Sequence, residues 1–344
     1  MAIASVEVIP YALPFKEPYV TARGTLAQRE TVLLRARDGD GVVGLGEAVP
    51  LSMRGDVTFE QVVAELREWA DTPETKSERL SAPSRCAVET AMLDLRSRRN
   101  GVPAWSELGA SAAQPVPCNA TLPAGEPEAV AGRANEWAED GFTSFKLKVG
   151  VPKDFDQVAA VHRALGPSAQ LRVDANGVWD PAEALEKIGA MEGEGVMLVE
   201  QPCATLEELA EVRRLVEVRI AADESVAGTE DIERAKQLES CDLITVKLSK
   251  MGGPESGLTG LLHPTYLSSA LDGPVGLAAA AHAAQALRES GHDAGIPHGL
   301  ATQRLFASTI ASVECELRGD MLHLPPGPGL GVETDEAALD RHRL

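Results

Sequence analysis

The chain has 344 residues with 44% hydrophobic and 24% charged content, ordinary for a soluble globular protein and long enough for a barrel plus one smaller domain. A formal charge of −20 argues against any general affinity for nucleic acid or an anionic membrane, so an anionic substrate needs local help from lysines, arginines or a cation. No basic leader precedes a long apolar run and no window reaches transmembrane length, so a cytoplasmic protein is expected.

Five cysteines (Cys86, Cys118, Cys203, Cys241 and Cys315) are far apart, odd in number and never spaced as C-x-x-C. That fits reduced, buried thiols rather than a disulfide frame or a zinc site.

Ile3–Leu13 reads as an extended stretch closed by Pro14, and residues 19–30 as a polar loop around Gly24. Thr31–Arg37 and Val42–Glu47 flank Asp38-Gly39-Asp40-Gly41, which predicts a tight hairpin turn. Gly39, Gly41 and Gly44 spell G-x-G-x-x-G, but a dinucleotide site needs a helix next, and a second strand follows instead. A second short loop, residues 51–56, carries Met53 and Arg54. Helices are predicted over 58–70 and 83–100; Ala87, Ala91 and Leu95 form an apolar stripe on the second. Residues 1–114 therefore read as an α+β domain, with Pro115 and Pro117 at its boundary.

From Val116–Leu122 onward the pattern changes. Short apolar runs end at Lys148, Asp174, Glu200, Asp223 and Lys247, a period of 23 to 26 residues, with amphipathic stretches between them. Repeated βα units of this size predict a (β/α)₇₋₈ TIM-type barrel over 115–316, whose chemistry gathers at the C-terminal ends of its strands. The unit after Lys247 is short, Met251-Gly-Gly-Pro254 coming soon after it, so its helix must be brief or irregular. Thr265–Ser269 reads as the seventh strand and Ala294–Ile296 as the eighth, with an alanine-rich helix over 275–289 between them. The turn-rich tail, 317–344, is expected to pack back on the first domain.

Every named run ends in a charged residue. Strand alternation puts Lys146 and Lys148 on one face, with Phe145, Leu147 and Val149 on the other. Asp174, Glu200 and Asp223 end successive strands about 5 Å apart, where three carboxylates repel unless a cation lies among them. Hard divalent ions accept such all-oxygen ligation, Mg²⁺ first and Mn²⁺ as an alternative. Lys146 and Lys148 precede the acids and Lys247 follows them, so the amines flank the metal from opposite sides. A metal and a second lysine are expected to push a lysine's pKa down, towards the range of a general base. The set suggests proton abstraction next to a carboxylate; a lysine base with Mg²⁺ is a pattern already attached to the enolase superfamily.

Lys146-x-Lys148, Asp174-x-Asn176, Glu200-Gln201-Pro202, Asp223-Glu224-Ser225 and Lys247 with Gly252-Gly253 resemble the muconate-lactonising subgroup of that superfamily. Within it, Thr21-Ala-Arg-Gly-Thr25, Val116-Pro-x-Asn119-Ala-Thr121, Ser268-Ser-Ala-Leu-Asp272 and Gly299-Leu-Ala-Thr302 look most like o-succinylbenzoate synthases of actinobacterial type. The resemblance implies an N-terminal capping domain, a small-molecule carboxylate substrate and loss of water on the path to menaquinone. It implies Lys148 as base, Lys247 stabilising the developing charge from the other face, and Lys146 tuning Lys148. Asn176 and Glu224 would orient these groups, while Ser268, Ser269, Arg23 and Met53 would contact substrate. Independently of the resemblance, Arg23 and Arg54 lie on the two loops of the first domain, placed either to close over an anionic substrate as a lid or simply to face solvent. Dipeptide epimerases carry an Asp-x-Asp pair at the eighth strand that Ala294-Gly-Ile-Pro-His298-Gly lacks, and muconate cycloisomerases an acid not found between Gly295 and Arg304. N-acylamino-acid racemisation stays open, as does a silent barrel that only binds a metabolite. His282, His292 and His298 are expected at the surface or as caps. The residues give no oligomeric state.

Overall fold

The computed structural model describes residues 3–50, 57–73 and 79–344. Its N-terminal part is an antiparallel meander of strands Ile3–Thr21, Gly24–Asp38 and Val43–Ala48, in that order across the sheet. The turn reads as expected: Asp38 Oδ1 accepts the backbone N–H groups of Asp40 and Val42 at 3.0 and 2.9 Å, the side-chain turn that a short acid supplies.

Residues 19–30 are not a loop. The first two strands stay paired to Thr21 opposite Gly24, after one irregularity between Pro14 and Tyr19. Valine and threonine suit a strand even when flanked by polar residues, and the Thr21 hydroxyl accepts the Arg23 N–H at 3.1 Å, tightening the two-residue tip.

Helices Phe59–Asp71 and Ala82–Asn100 cover one face of this sheet, the first opened by a Thr58/Gln61 capping box. Their buried residues, among them Val62, Leu66, Trp69, Ala87 and Ala91, pack on Val32, Leu34 and Ala36. The glycines have a packing role here: a Cβ on Gly46 would lie 1.9 Å from the Ala87 carbonyl oxygen.

Seven parallel strands form the second part: Ala120–Leu122, Ser144–Lys148, Gln170–Asp174, Val196–Glu200, Arg219–Ala222, Leu243–Val246 and Thr265–Leu267, neighbours in sequence and in space. The eighth position is no regular strand. Residues 292–299 bond both flanks, with Ala294 N–H donating to Thr265 O at 2.8 Å and His298 N–H to Pro117 O at 2.7 Å, and so close the ring through isolated bridges. Pro297, which has no N–H, prevents a continuous ladder. The expected first strand is also split: Val116–Pro117 pairs with the tail at Met321–Leu322, and only Ala120–Leu122 joins the barrel.

The helix after Lys247 breaks into Leu248–Met251 and Pro254–Leu258. Gly252 and Gly253 divide it, and they allow helix Ala82–Asn100 to approach; a Cβ on Gly253 would meet Glu89 Oε1 at 2.3 Å. Tail residues reach the N-terminal part, Leu330 N–H donating to Asp94 Oδ1 at 2.7 Å and Arg98 Nη2 to Val332 O at 2.8 Å. Among the described residues no helix is long and apolar enough to cross a membrane, and all five cysteines are buried free thiols.

Candidate active site

The barrel register lines up the charged strand ends. Lys148 lies opposite Asp174 and Asp174 opposite Glu200; Glu200 pairs with Ala221, two residues before Asp223 on the same face. All three acids are buried, as are Lys146, Lys148 and Lys247. Lys146 Nζ bridges Glu200 Oε2 at 2.6 Å and Asp174 Oδ2 at 3.0 Å. Lys148 Nζ donates to Asp174 Oδ2 at 2.6 Å, and Lys247 holds Asp223 in the same way.

The pairing sets the protonation. Burial disfavours the charge on Lys148, but the Asp174 carboxylate outweighs it and holds the amine above its ordinary value. Lys146 pushes Lys148 down, as the sequence reading expects of a second lysine, but less than Asp174 pushes it up. Burial likewise opposes the charge on Lys146, and Asp174 and Glu200 raise it well above the usual lysine range. Burial would raise Asp174, yet Lys146 and Lys148 keep it far below the usual carboxylate value. Glu200 goes the other way, to about 7, through burial and then the neighbouring charge of Asp174.

Around this set the supporting groups are ordered. Asn176, at φ +52°, donates from Nδ2 to Glu224 Oε1 at 3.0 Å and accepts Lys148 Nζ at 3.3 Å. Gln201 was quoted in the sequence only as part of a motif. Its Oε1 accepts the Asp223 N–H at 2.7 Å and both the N–H and hydroxyl of Ser225, tying two acid-bearing strand ends together.

A cleft opens above the lysines. Tyr19, Thr21, Arg23, Leu26 and Arg29 of the N-terminal hairpin roof it, and Ser268, Ser269 and Thr302 line its far wall. Arg23 also donates from Nε and Nη2 to the Asn176 carbonyl oxygen at 3.1 and 2.9 Å, so its guanidinium fastens the hairpin to the barrel. Ser269 turns inward, donating to Asp272 Oδ2 at 2.7 Å. Met53 and Arg54 lie outside the described residues.

His298 is buried rather than at the surface, while His282 is buried and caps the first turn of helix Ala104–Glu107. His298 Nδ1 accepts the Leu267 N–H at 2.9 Å and His282 Nδ1 the Trp105 N–H at 3.0 Å, with burial lowering both to about 4. Neither lines the cleft. Two further residues, Arg172 and Tyr266, are buried inside the barrel below the acids. Each is two positions before a site residue on its strand, so alternation was the signal that could have found them.

Among the described residues no three acidic, histidine or cysteine side chains group closely enough to hold a metal ion as they stand; Lys146 stands between Asp174 and Glu200. The donor set nonetheless has the chemistry of a hard-cation site. Three carboxylates end neighbouring strands, and Glu200 Oε1 is buried with no hydrogen-bond partner.

Comparison with known proteins accounts for this arrangement. Residues 3–109 match the mandelate racemase / muconate lactonizing enzyme N-terminal domain, and residues 129–338 the enolase C-terminal domain-like family. The chain belongs to the enolase superfamily. It is 29% identical to muconate cycloisomerase 1 of Acinetobacter baylyi over 98% of this chain and 99% of that one. It is 41% identical to the o-succinylbenzoate synthase of Thermobifida fusca, over 57% of this chain and 62% of that one. A dipeptide epimerase from Enterococcus faecalis, solved with Mg and the dipeptide L-Leu-L-Tyr, superposes with a TM-score of 0.88 at 25% identity, covering 97% of this chain and 100% of that one. The superfamily is one of Mg²⁺-dependent enzymes, and these relatives span three of its reactions.

Proposed function

We propose that this chain is a Mg²⁺-dependent carbon–oxygen lyase like o-succinylbenzoate synthase, acting on a cyclohexadiene carboxylate in menaquinone biosynthesis. The observation that carries the reading is the convergence of Lys148 and Lys247 on one cleft, above buried Asp174, Glu200 and Asp223. On this reading residues 1–114 cap the site, 115–316 form the catalytic barrel and 317–344 bind the two together.

Asp174, Glu200 and Asp223 would hold the cation, with Mn²⁺ able to replace Mg²⁺. When bound, it supplies positive charge that offsets the negative charge developing on the substrate carboxylate as the α-proton leaves. Lys148 takes that proton at Nζ and returns it to the departing hydroxyl, so one water leaves per turnover. Its amine must be neutral to do so, and the Asp174 carboxylate is the contact that keeps it charged. Lys247 faces the developing charge from the opposite side, and Lys146, bridging Asp174 and Glu200, tunes Lys148 and binds the substrate carboxylate. Asn176 orients Lys148, and Glu224 in turn orients Asn176. Ser268, Ser269 and Arg23 bind the remote end of the substrate.

The 41% identity to a synthase favours dehydration over the reactions of the other relatives, and Ala294–Gly299 carries no acid for a dipeptide ammonium. A second reading, N-acylamino-acid racemisation, is favoured by the pair of lysines, since two-base chemistry needs both. Purified enzyme with Mg²⁺ is expected to convert the cyclohexadiene substrate to o-succinylbenzoate. Racemisation of N-succinyl amino acids without that turnover transfers the assignment to the second reading. Metal binding with no proton exchange over a panel of carboxylates leaves only a metabolite-binding barrel.

A further inference from the structure

We infer that Tyr266 is a positioning residue that selects which oxygen Glu200 presents to a divalent cation. The inference rests on Asp174, Glu200 and Asp223 being the cation's ligands, and it concerns a side chain that touches neither cation nor substrate.

The two oxygens of Glu200 are unequal. Oε2 accepts the Tyr266 hydroxyl at 2.5 Å and Lys146 Nζ at 2.6 Å. Oε1 is buried and accepts nothing. A carboxylate oxygen with two strong donors has spent its lone-pair directions, whereas an unpartnered one keeps them for a cation. The carboxylate is thereby oriented before any ion arrives.

Tyr266 can impose this because it cannot move. Its ring is buried in the barrel interior, packed with Leu198, Ala221 and Leu243. The Arg172 guanidinium lies over that ring, 5.7 Å from its centroid, and is itself anchored by donation from Nη1 to Pro297 O at 2.7 Å. Arg172 Nη2 is buried with no acceptor, an expense that a purely structural floor would avoid by using an apolar residue. The chain Pro297–Arg172–Tyr266–Glu200 thus runs from the irregular eighth position of the barrel to a ligand oxygen.

Groups that orient metal ligands typically matter about 10–100-fold in affinity. Calorimetric titration of Mn²⁺ into the full-length protein tests the idea. Tyr266→Phe, which deletes only the hydroxyl, is expected to bind Mn²⁺ about 10–100-fold more weakly, while α-proton exchange at saturating Mn²⁺ stays near the wild-type rate. Arg172→Met keeps the hydroxyl but frees the ring, and is expected to weaken Mn²⁺ in the same direction by a smaller factor; it carries the test if the phenylalanine variant does not fold. Unchanged Mn²⁺ affinity in the folded variant overturns the positioning role alone. Wild-type protein that binds no Mn²⁺ overturns the proposed function along with it.

Discussion

The Lys148 ammonium lies 2.6 Å from Asp174 Oδ2, its direct partner across two neighbouring strands. A lysine so placed is charged and cannot accept a proton until something else takes up the carboxylate's charge. On the proposed function, base and cation site are therefore coupled through one oxygen, Asp174 Oδ2, which Lys146 shares.

That coupling predicts how the lysines divide the work. Lys148→Ala is expected to slow α-proton exchange in D₂O by about 10²–10⁴-fold, the usual range for loss of a general base. Lys247→Ala is expected to retain exchange while losing turnover, because in the proposed dehydration Lys247 stabilises charge without carrying the proton. Proton NMR of recovered substrate checks both. If each alanine variant instead exchanges one enantiomer only, both lysines carry protons and the chemistry is racemisation.

Glu89 and Gly253 make a second contact of this kind, between the two parts of the molecule. Glu89 accepts the N–H groups of Glu255 and Ser256 at 2.6 and 3.0 Å and the Ser256 hydroxyl at 2.6 Å. Gly253 has φ +141° and no room for a Cβ. Gly253→Ala is expected to destabilise the protein by about 2 kcal/mol or more, from backbone strain together with the displaced carboxylate. Denaturant melts of the two proteins measure it. A variant as stable as wild type would show that Glu89 has slack.

The barrel was legible because its signal is local and repeated. Lys148, Asp174, Glu200, Asp223 and Lys247 each close an apolar run at nearly constant spacing. Tyr266 and Arg172 gave no such signal: a tyrosine or arginine inside a strand is ordinary until the ring closure brings Pro297 and Glu200 to it. The hairpin at 19–30 was misread because its exposed residues are polar on both strands, which erases the alternation that marks a half-buried strand. The strength of the Lys148–Asp174 pairing was not legible for a different reason. Spacing showed that amines and acids meet, but not that one carboxylate oxygen lies closer to Lys148 than the neighbouring amine's influence can offset.

Arg23 spans cap and barrel through the Asn176 carbonyl and also faces the cleft. Its alanine variant is expected to raise KM about tenfold for a dicarboxylate, the effect of losing about 1.4 kcal/mol, with a smaller change in kcat. Charge attraction at an exposed site is screened by salt, so wild-type KM should climb with ionic strength more steeply than that of Arg23→Ala. Equal salt slopes would assign Arg23 to fastening the hairpin alone.

Glu47 offers the clearest pH test of how the parts are joined. From the third strand of the cap it accepts the N–H groups of Gly273, Val275 and Gly276 at 2.5, 3.2 and 3.2 Å, and so caps helix Pro274–Glu289, which has no side-chain cap of its own. Burial, then the charge of Asp272, raises its carboxyl from 4.5 to about 7. Since the folded state holds this proton more tightly, the associated stability is complete below about 4.5 and is lost as pH rises through about 7. Glu47→Gln cannot titrate, so the melting temperature of wild type relative to the variant should fall steadily across that window. Asp272, Tyr11 and Cys86 are ionisable groups facing Glu47, and Asp272→Asn should move the fall to lower pH by removing the like charge. Parallel wild-type and Glu47→Gln curves from pH 4.5 to 7 would mean that the carboxylate stays ionised, the helix N–H groups stabilising it more than burial and Asp272 oppose it.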